Sequence, residues 1–318
     1  MSPIIEKNVM KKNLEGTLIL LIAAFIWGTA FVAQTTASEV VGAFSFNAYR
    51  SFVGSAFLFI LSVIFAATGK KETDTTFKKR LFGNWPVVGG IICGVILTAA
   101  MNFQQLGIQA YPEGAAASGR SGFLTAMYVI FVAIASRFMG RKLHPLVIAS
   151  AAVAAIGMYF LCLSSGITNI YMGDILCFCC AICFTIHILV VDKYSYVDSV
   201  KLSCLQFLVA GILSLIIALC VEGTQYFTGD VASQAAFSIF YLGVMSSGVA
   251  YTLQMVGQKY AEPAVASIAM SMESVFAALA GWMILKESLS GRELFGCVLM
   301  FSAVIAVQIP GFLKSDNG

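Results

Sequence analysis

Four ionisable residues lie inside segments that are otherwise apolar: Arg50, Arg120, His187 and Glu273. A charged side chain at the centre of a bilayer costs about 3 kcal/mol or more, so each of these residues should face the interior of a helix bundle. Arginine can hold a carboxylate through two parallel hydrogen bonds, and glutamate can hold an ammonium group or exchange a proton. The set is therefore suited to binding a small charged molecule.

Arg120 and Glu273 form the leading candidate pair. At a helical rise of about 1.5 Å per residue, Arg120 lies about 9 Å from one membrane face and Glu273 about 15 Å from the other, in a core of about 30 Å. In one interpretation, Arg120 takes the carboxylate of a zwitterion and Glu273 takes its ammonium group or a coupling proton. In the other, the two residues form a structural ion pair. Arg50 is interpreted as a helix-packing or interfacial anchor in preference to a cavity residue.

Two rows of polar side chains recur in the two halves of the chain. They are Asn102, Gln105 and Gln109 in the first half and Tyr251, Gln254 and Gln258 in the second. Spacings of three and four residues place each row on one face of a helix. We expect Asn102, Gln105, Tyr251 and Gln254 to line a substrate cavity or its gates. The alternative is that the amides satisfy backbone groups at helix ends.

Cys179, Cys183 and His187 repeat every four residues and share a helix face. Such a face could offer soft ligands to Cu(I) or Zn(II). Cysteine also packs well between membrane helices, and no acidic pathway for a metal accompanies this row, so we predict no metal site.

Two further side chains are candidate substrate contacts. His187 could act as a cavity donor or a proton-linked group, with a packed and hydrogen-bonded role as the alternative. Trp27, beside Gly28 and Thr29, is expected to form an aromatic wall for an apolar part of the substrate, with lipid-facing or packing roles as alternatives.

The elements that must position these residues are membrane helices. The 318 residues are 59% hydrophobic and only 11% charged, whereas about a quarter of the residues in a water-soluble domain are charged. Ten apolar runs have the length of about 20 residues that a helix needs to cross a bilayer. In chain order these spans are residues 17–37, 44–68, 85–110, 114–136, 146–163, 175–191, 200–221, 235–260, 263–285 and 291–309. The sequence predicts an all-α polytopic membrane protein.

The ten spans fall into two copies of one unit. Residues 94–118 align without a gap with residues 243–267 and share nine of twenty-five residues, 149 positions apart. The predicted repeats are residues 1–163 and 164–318. Because each holds five spans, the second copy enters the membrane from the opposite face, and inverted repeats of this kind support alternating access. We expect the site to lie between them, formed by spans one, three, four, six, eight and nine.

Basic residues predict the orientation of the chain, because Lys and Arg beside spans stay on the cytoplasmic side. With the N-terminus inside, fifteen basic residues fall in inside segments and two in outside loops. Both termini are therefore predicted to be cytoplasmic. The net charge of +3 reflects this distribution and gives no support for nucleic-acid binding.

Three segments resemble the EamA-type branch of the drug/metabolite transporter superfamily. They are WGTAF at residues 27–31, SGRSGFLT at 118–125 and SMESVFAAL at 271–279. The chain departs from the family pattern at Ser274, where Pro is usual, and at Lys286-Glu287, where Gly-Glu is usual. The resemblance covers nearly the whole chain, and it implies export or exchange of small metabolites and amino acids across the cytoplasmic membrane without a cofactor.

The residues and the resemblance together predict a secondary transporter, an exporter or exchanger, for a small organic metabolite, an amino acid or a related amphiphile. Coupling protons are an open possibility. A nucleotide-sugar or sugar-phosphate antiporter is an alternative, although it should show several basic residues in one cavity. A membrane scaffold or receptor is another. The sequence contains no HExxH pair, Gly-x-Ser-x-Gly elbow or P-loop, so we predict no catalytic residues and no enzyme activity.

Overall fold

The computed structural model describes residues 3–38, 40–68, 81–112, 117–163, 170–284 and 290–309, and within these ranges every regular element is helical. The first repeat contains α1 (Pro3–Ser38), α2 (Ala43–Thr68), α3 (Val87–Gln109), α4 (Ala117–Ala126), α5 (Tyr128–Phe138) and α6 (Pro145–Cys162). The second contains α7 (Met172–Lys193), α8 (Ser199–Val221), α9 (Gly229–Gln234), α10 (Ala236–Tyr241), a π-helical segment (Leu242–Ala250), α11 (Tyr251–Gly257), α12 (Pro263–Met270), α13 (Glu273–Ile284) and α14 (Gly291–Ala306).

The predicted ten-span architecture is confirmed. In the described ranges, nine spans are long and apolar enough to cross a membrane, and they correspond to the first nine predicted ones. The tenth span is α14, whose 16 residues make it the shortest. α1 begins at Pro3 instead of residue 17, so this helix extends well before the apolar run. Three features of the sequence fall outside the described ranges in whole or in part. They are the basic loop at 69–84, of which residues 69–80 are not described, the predicted repeat boundary at 163–164, and the departure from the family pattern at 286–287.

Helix contacts repeat in the two halves, as inverted repeats require. α3 lies against α7, and its counterpart, the π-helical segment with α11, lies against α1. Glycines allow both approaches, since small residues let membrane helices come close together. A Cβ atom on Gly173 would lie 2.7 Å from the Gly107 carbonyl oxygen, and one on Gly257 would lie 3.0 Å from the Gly16 carbonyl oxygen.

Spans four and nine are each interrupted near the middle. Span four changes from α4 to α5 at Met127, and span nine changes from α12 to α13 at Ser271 and Met272. Each junction contains a tightened turn: the Met127 amide bonds to the Leu124 carbonyl at 3.3 Å, and the Met272 amide bonds to the Ala269 carbonyl at 3.3 Å. Bonds between residues three apart mark a local 3₁₀ turn, and interrupted membrane helices commonly line transport sites.

Span eight differs from span three, its counterpart. α3 is an unbroken α-helix, whereas nine residues of span eight, Leu242–Ala250, are π-helical. Gly54 of α2 allows this segment to approach closely, because a Cβ there would lie 2.8 Å from the Ser247 Cβ. A π-helical segment shifts the residues after it around the helix axis and is frequently found at functional sites. The two repeats therefore present different faces to the centre of the protein.

Candidate functional site

A cavity of about 60 Å³ lies between the two repeats. Spans one, three, four, six, eight and nine line it as expected, and span two also contributes. The polar and aromatic side chains in its wall are Trp27, Gln34, Arg50, Gln104, Thr125, Tyr128, Phe184, Ser246, Tyr251, Gln254 and Glu273. This volume holds a few water molecules at about 10–15 Å³ each, so a larger ligand requires the surrounding helices to move apart.

Glu273 is the one carboxylate among the described residues that line the cavity. It is the first residue of α13, directly after the interruption in span nine. Tyr128, the first residue of α5 after the interruption in span four, donates a hydrogen bond to Glu273 Oε1 at 3.4 Å. The two interruptions therefore bring equivalent places of the two repeats together at the cavity.

Gly28 of α1 packs against the start of α13. A Cβ atom on Gly28 would lie 2.7 Å from the Glu273 carbonyl oxygen and 2.6 Å from the Phe276 Cβ. No side chain fits there unless α13 moves, so the absence of a side chain at residue 28 helps to position Glu273.

We expect Gly28→Ala to lower the melting temperature of the purified protein by about 2 °C or more, because overpacking a tight contact costs about 1–3 kcal/mol. Gly122→Ala is the matched control, since a Cβ at Gly122 would meet no atom of the described residues within 4 Å. Thermal unfolding of both variants in detergent provides the measurement. Equal melting temperatures would show that α13 accommodates the extra methyl group.

Arg50 faces the cavity, contrary to its interpretation as an anchor. The residue is buried, and its guanidinium group lies over the Phe46 ring, with the central carbon 5.6 Å from the ring centroid. A sequence pattern could have indicated that Arg50 faces the interior. Asn47, Ser51 and Ser55 follow one another at intervals of four, so α2 carries a polar stripe beside Arg50. All three of these neighbours are buried.

Arg120 does not line the cavity, and its predicted pairing with Glu273 is wrong. Its Nη2 lies 2.5 Å from Asp174 Oδ2, and its Nε lies 3.0 Å from Asp174 Oδ1. Tyr111 donates a hydrogen bond to the same carboxylate at 2.9 Å, and the Tyr171 ring lies 4.8 Å from the guanidinium carbon. The physical reason is that α4 and α7 begin at the same end of the bundle, whereas Glu273 lies beyond the interruption near the middle.

The first polar row binds helices together instead of lining the cavity. Asn102 accepts a hydrogen bond from Asn47 at 2.8 Å and donates one to Ser214 at 3.2 Å, which connects α2, α3 and α8. Gln105 accepts a hydrogen bond from Gln34 at 2.8 Å. On α3 it is the neighbouring Gln104, one residue around the helix, that reaches the cavity.

The second row behaves differently, because Tyr251 and Gln254 both line the cavity. Gln254 donates to Gln258 Oε1 at 3.2 Å, and Gln258 in turn donates to the Ile188 carbonyl at 3.1 Å. The π-helical segment directly before Tyr251 accounts for the difference, since it turns this row relative to its counterpart in the first repeat.

His187 is fully buried and its Nε2 lies 3.0 Å from Gln206 Oε1, which matches the packed, hydrogen-bonded alternative. Its ring lies behind Tyr251, with the ring centroids 6.0 Å apart. Trp27 lines the cavity and meets Tyr251 edge to face, with centroids 4.9 Å apart. Among the described residues, no group of three His, Cys, Asp or Glu side chains is placed to hold a metal ion.

Comparisons with known proteins give one family. The model of the EamA-like transporter family matches residues 14–163 and again residues 171–308. An uncharacterized transporter of Archaeoglobus fulgidus is 27% identical over 300 residues, which cover 94% of this chain and 87% of that protein. The uncharacterized transporter YoaV of Bacillus subtilis is 19% identical over 287 residues, covering 88% and 92%. A crystal structure with 19% identity superposes with a TM-score of 0.74 over 93% of this chain and 99% of the other, which shows a shared fold.

Proposed function

Because this chain belongs to the EamA-like transporter family, we propose that it is a secondary transporter that carries a small organic metabolite across the cell membrane by alternating access. The observation that carries the proposal is the cavity between the repeats, which contains both Arg50 and Glu273. Inverted repeats can exchange inward-tilted and outward-tilted arrangements around such a site. The proposed substrate is an amino acid or a related amphiphile, exported or exchanged.

The interrupted spans four and nine are the elements we expect to change during transport. Each contains a tightened turn beside the cavity, and the contact between Tyr128 and Glu273 joins the two turns. Tyr128 belongs to the first proposed repeat unit, residues 1–163, and Glu273 to the second, residues 164–318. A movement of one repeat against the other therefore alters the surroundings of Glu273 directly.

Glu273 is the proposed partner of the cationic end of the substrate or of a coupling proton. Its position supports this role, because it is the only carboxylate that the described residues place in the cavity wall. Trp27, Tyr251 and Gln254 are proposed to contact the rest of the substrate. Asn102, Gln105 and His187 are proposed to support the cavity through the hydrogen bonds that they make behind it.

Purified protein in liposomes tests the proposal. Vesicles with and without a proton gradient are given a panel of labelled metabolites that includes amino acids, amines, carboxylates and sugar phosphates. We expect uptake or exchange of a small set of amphiphiles that stops when unlabelled substrate is in excess. Protein-free vesicles are the control, and equal passage of every compound into both kinds of vesicle would contradict transport.

Orientation gives a separate prediction. We expect an epitope inserted between α2 and α3, at residue 75, to lie in the cytoplasm, because the segment before α3 is rich in Lys and Arg. An epitope inserted at Gly223, between α8 and α9, should lie outside. Protease added to sealed right-side-out vesicles should remove only the second epitope. Removal of the first epitope alone would reverse the predicted topology.

A further inference from the structure

Arg50 is buried and faces the cavity, and among the described residues no carboxylate lies within ion-pair distance of it. Its relative exposure is 5%. Within the described part of the chain its Nε has no hydrogen-bond partner, although the guanidinium group lies over the Phe46 ring. Arg120, by contrast, is paired with Asp174 through two hydrogen bonds. A buried arginine without an anion is costly, because burial removes the water that would stabilise its charge.

Other unpaired polar atoms lie around the same space. Trp27 Nε1, a donor, and Gln254 Oε1, an acceptor, are buried and have no hydrogen-bond partner among the residues that the structure describes. Buried polar atoms are nearly always hydrogen-bonded, so a cluster of unpaired ones around a cavity points to a ligand or to ordered water. A ligand would have to supply both acceptors and a donor, because Arg50 and Trp27 require an acceptor and Gln254 Oε1 requires a donor.

The charged side chains in the cavity wall indicate which charges the ligand carries. Arg50 is the one basic and Glu273 the one acidic side chain among its described lining residues. Tyr251 lines the same cavity. A zwitterion would satisfy both charges, whereas an amine would leave Arg50 unpaired and a phosphate ester would bring excess negative charge beside Glu273.

On the premise of the transport function proposed above, we propose that Arg50 binds the carboxylate of a zwitterionic substrate whose ammonium group lies toward Glu273. The guanidinium group can form two parallel hydrogen bonds with a carboxylate, which fixes its orientation. Trp27, Phe184 and Tyr251 supply apolar surface for the body of the molecule. Arg50 is thus the residue that selects for a carboxylate.

An exchange assay tests this assignment independently of transport direction and energy source. Vesicles preloaded with unlabelled leucine exchange it for labelled leucine added outside. Leucine methyl ester, which keeps the ammonium group, and 4-methylpentanoate, which keeps the carboxylate, serve as competitors. The variants are Arg50→Gln, which removes the charge, and Arg50→Lys, which keeps it but cannot form the forked contact. Arg292→Gln is the matched control, because Arg292 lies over the Tyr159 and Phe160 rings outside the cavity.

We expect Arg50→Gln to raise the leucine concentration for half-maximal exchange about 10- to 100-fold, since hydrogen bonds to charged groups contribute an amount of that order. Arg50→Lys should lie between wild type and Arg50→Gln. Competition by 4-methylpentanoate should weaken in parallel with leucine binding, whereas competition by the methyl ester should not change. Arg292→Gln should bind leucine as the wild type does.

Equal weakening of all three compounds in Arg50→Gln, or unchanged leucine exchange, would overturn the assignment. Arg50→Lys takes the place of Arg50→Gln in the test if Arg50→Gln does not reach the membrane. Exchange by Arg50→Lys then tests the assignment, together with a second measurement, in which wild-type protein is heated with leucine or with its methyl ester. Protection by leucine alone supports the assignment, and equal protection by both contradicts it. Wild-type protein that moves amines, carboxylates or sugar phosphates of the panel but no amino acid would overturn the zwitterion assignment and leave the transport function in place.

Discussion

Replacing Glu273 by Gln is expected to reduce substrate exchange about 10- to 100-fold, because a hydrogen bond to a charged group contributes about 1.5–3 kcal/mol. Gln keeps the shape of the side chain and removes its charge and its exchangeable proton. If Glu273 carries a coupling proton, the acceleration of uptake by a proton gradient should also disappear. Exchange and gradient-driven uptake in liposomes, measured separately, distinguish a loss of substrate binding from a loss of coupling.

Glu262→Gln provides the matched control for this substitution. Glu262 is exposed, lies directly before α12 at the start of span nine and does not line the cavity. We therefore expect it to leave transport unchanged. Tyr128→Phe adds a second comparison, because it removes the hydrogen bond to Glu273 and keeps the carboxylate. Normal transport by Glu273→Gln, with the wild-type response to pH, would remove both proposed roles of the carboxylate.

Breaking the ion pair between Arg120 and Asp174 is expected to cost about 3–5 kcal/mol, because removal of one partner leaves the other buried without its counter-charge. Both side chains are buried, with exposures of 7% and 11%. Arg120 belongs to α4 and Asp174 to α7, so the pair joins the two repeats at one end of the bundle. Arg120→Gln and Asp174→Asn should each lower the temperature at which the protein loses its fold in detergent.

The double variant Arg120→Gln with Asp174→Asn distinguishes a structural role of the ion pair from a role of Arg120 in substrate binding. If the pair is structural, the double variant should be more stable than the sum of the two single losses predicts, since its two amides can bond to each other. The affinity for substrate should then be close to normal. If Arg120 instead binds a carboxylate, the double variant should lose zwitterionic substrates as severely as Arg120→Gln does, and the Arg50 assignment would need revision.

The ten-span architecture and its inverted repeat could be predicted because both depend on local properties. Each crossing needs only a run of apolar residues, and hydrogen bonds within the helix satisfy the backbone in lipid. The duplication also appears directly as matching residues 149 positions apart. Glu273 was identified as an interior residue on the same basis, because a carboxylate cannot remain exposed to lipid.

The partners of the charged residues could not be predicted in this way. Arg50 and Arg120 both lie near the same end of their spans, and depth alone does not show which one turns toward the cavity. Asp174 stabilises the first turn of α7 and lies one residue before the predicted span at 175–191. Its contact with Arg120 depends on how α4 packs beside α7, which no spacing along the chain encodes.

The two rows of polar residues show the same difference between what the sequence predicts and what the tertiary structure decides. The sequence by itself determined that both rows lie on helical faces and that both halves share one fold. The tertiary structure decided that Tyr251 and Gln254 line the cavity while Asn102 and Gln105 bind helices together. The reason is geometric, because a π-helical segment rotates the residues that follow it, and this segment packs closely against α2 at Gly54.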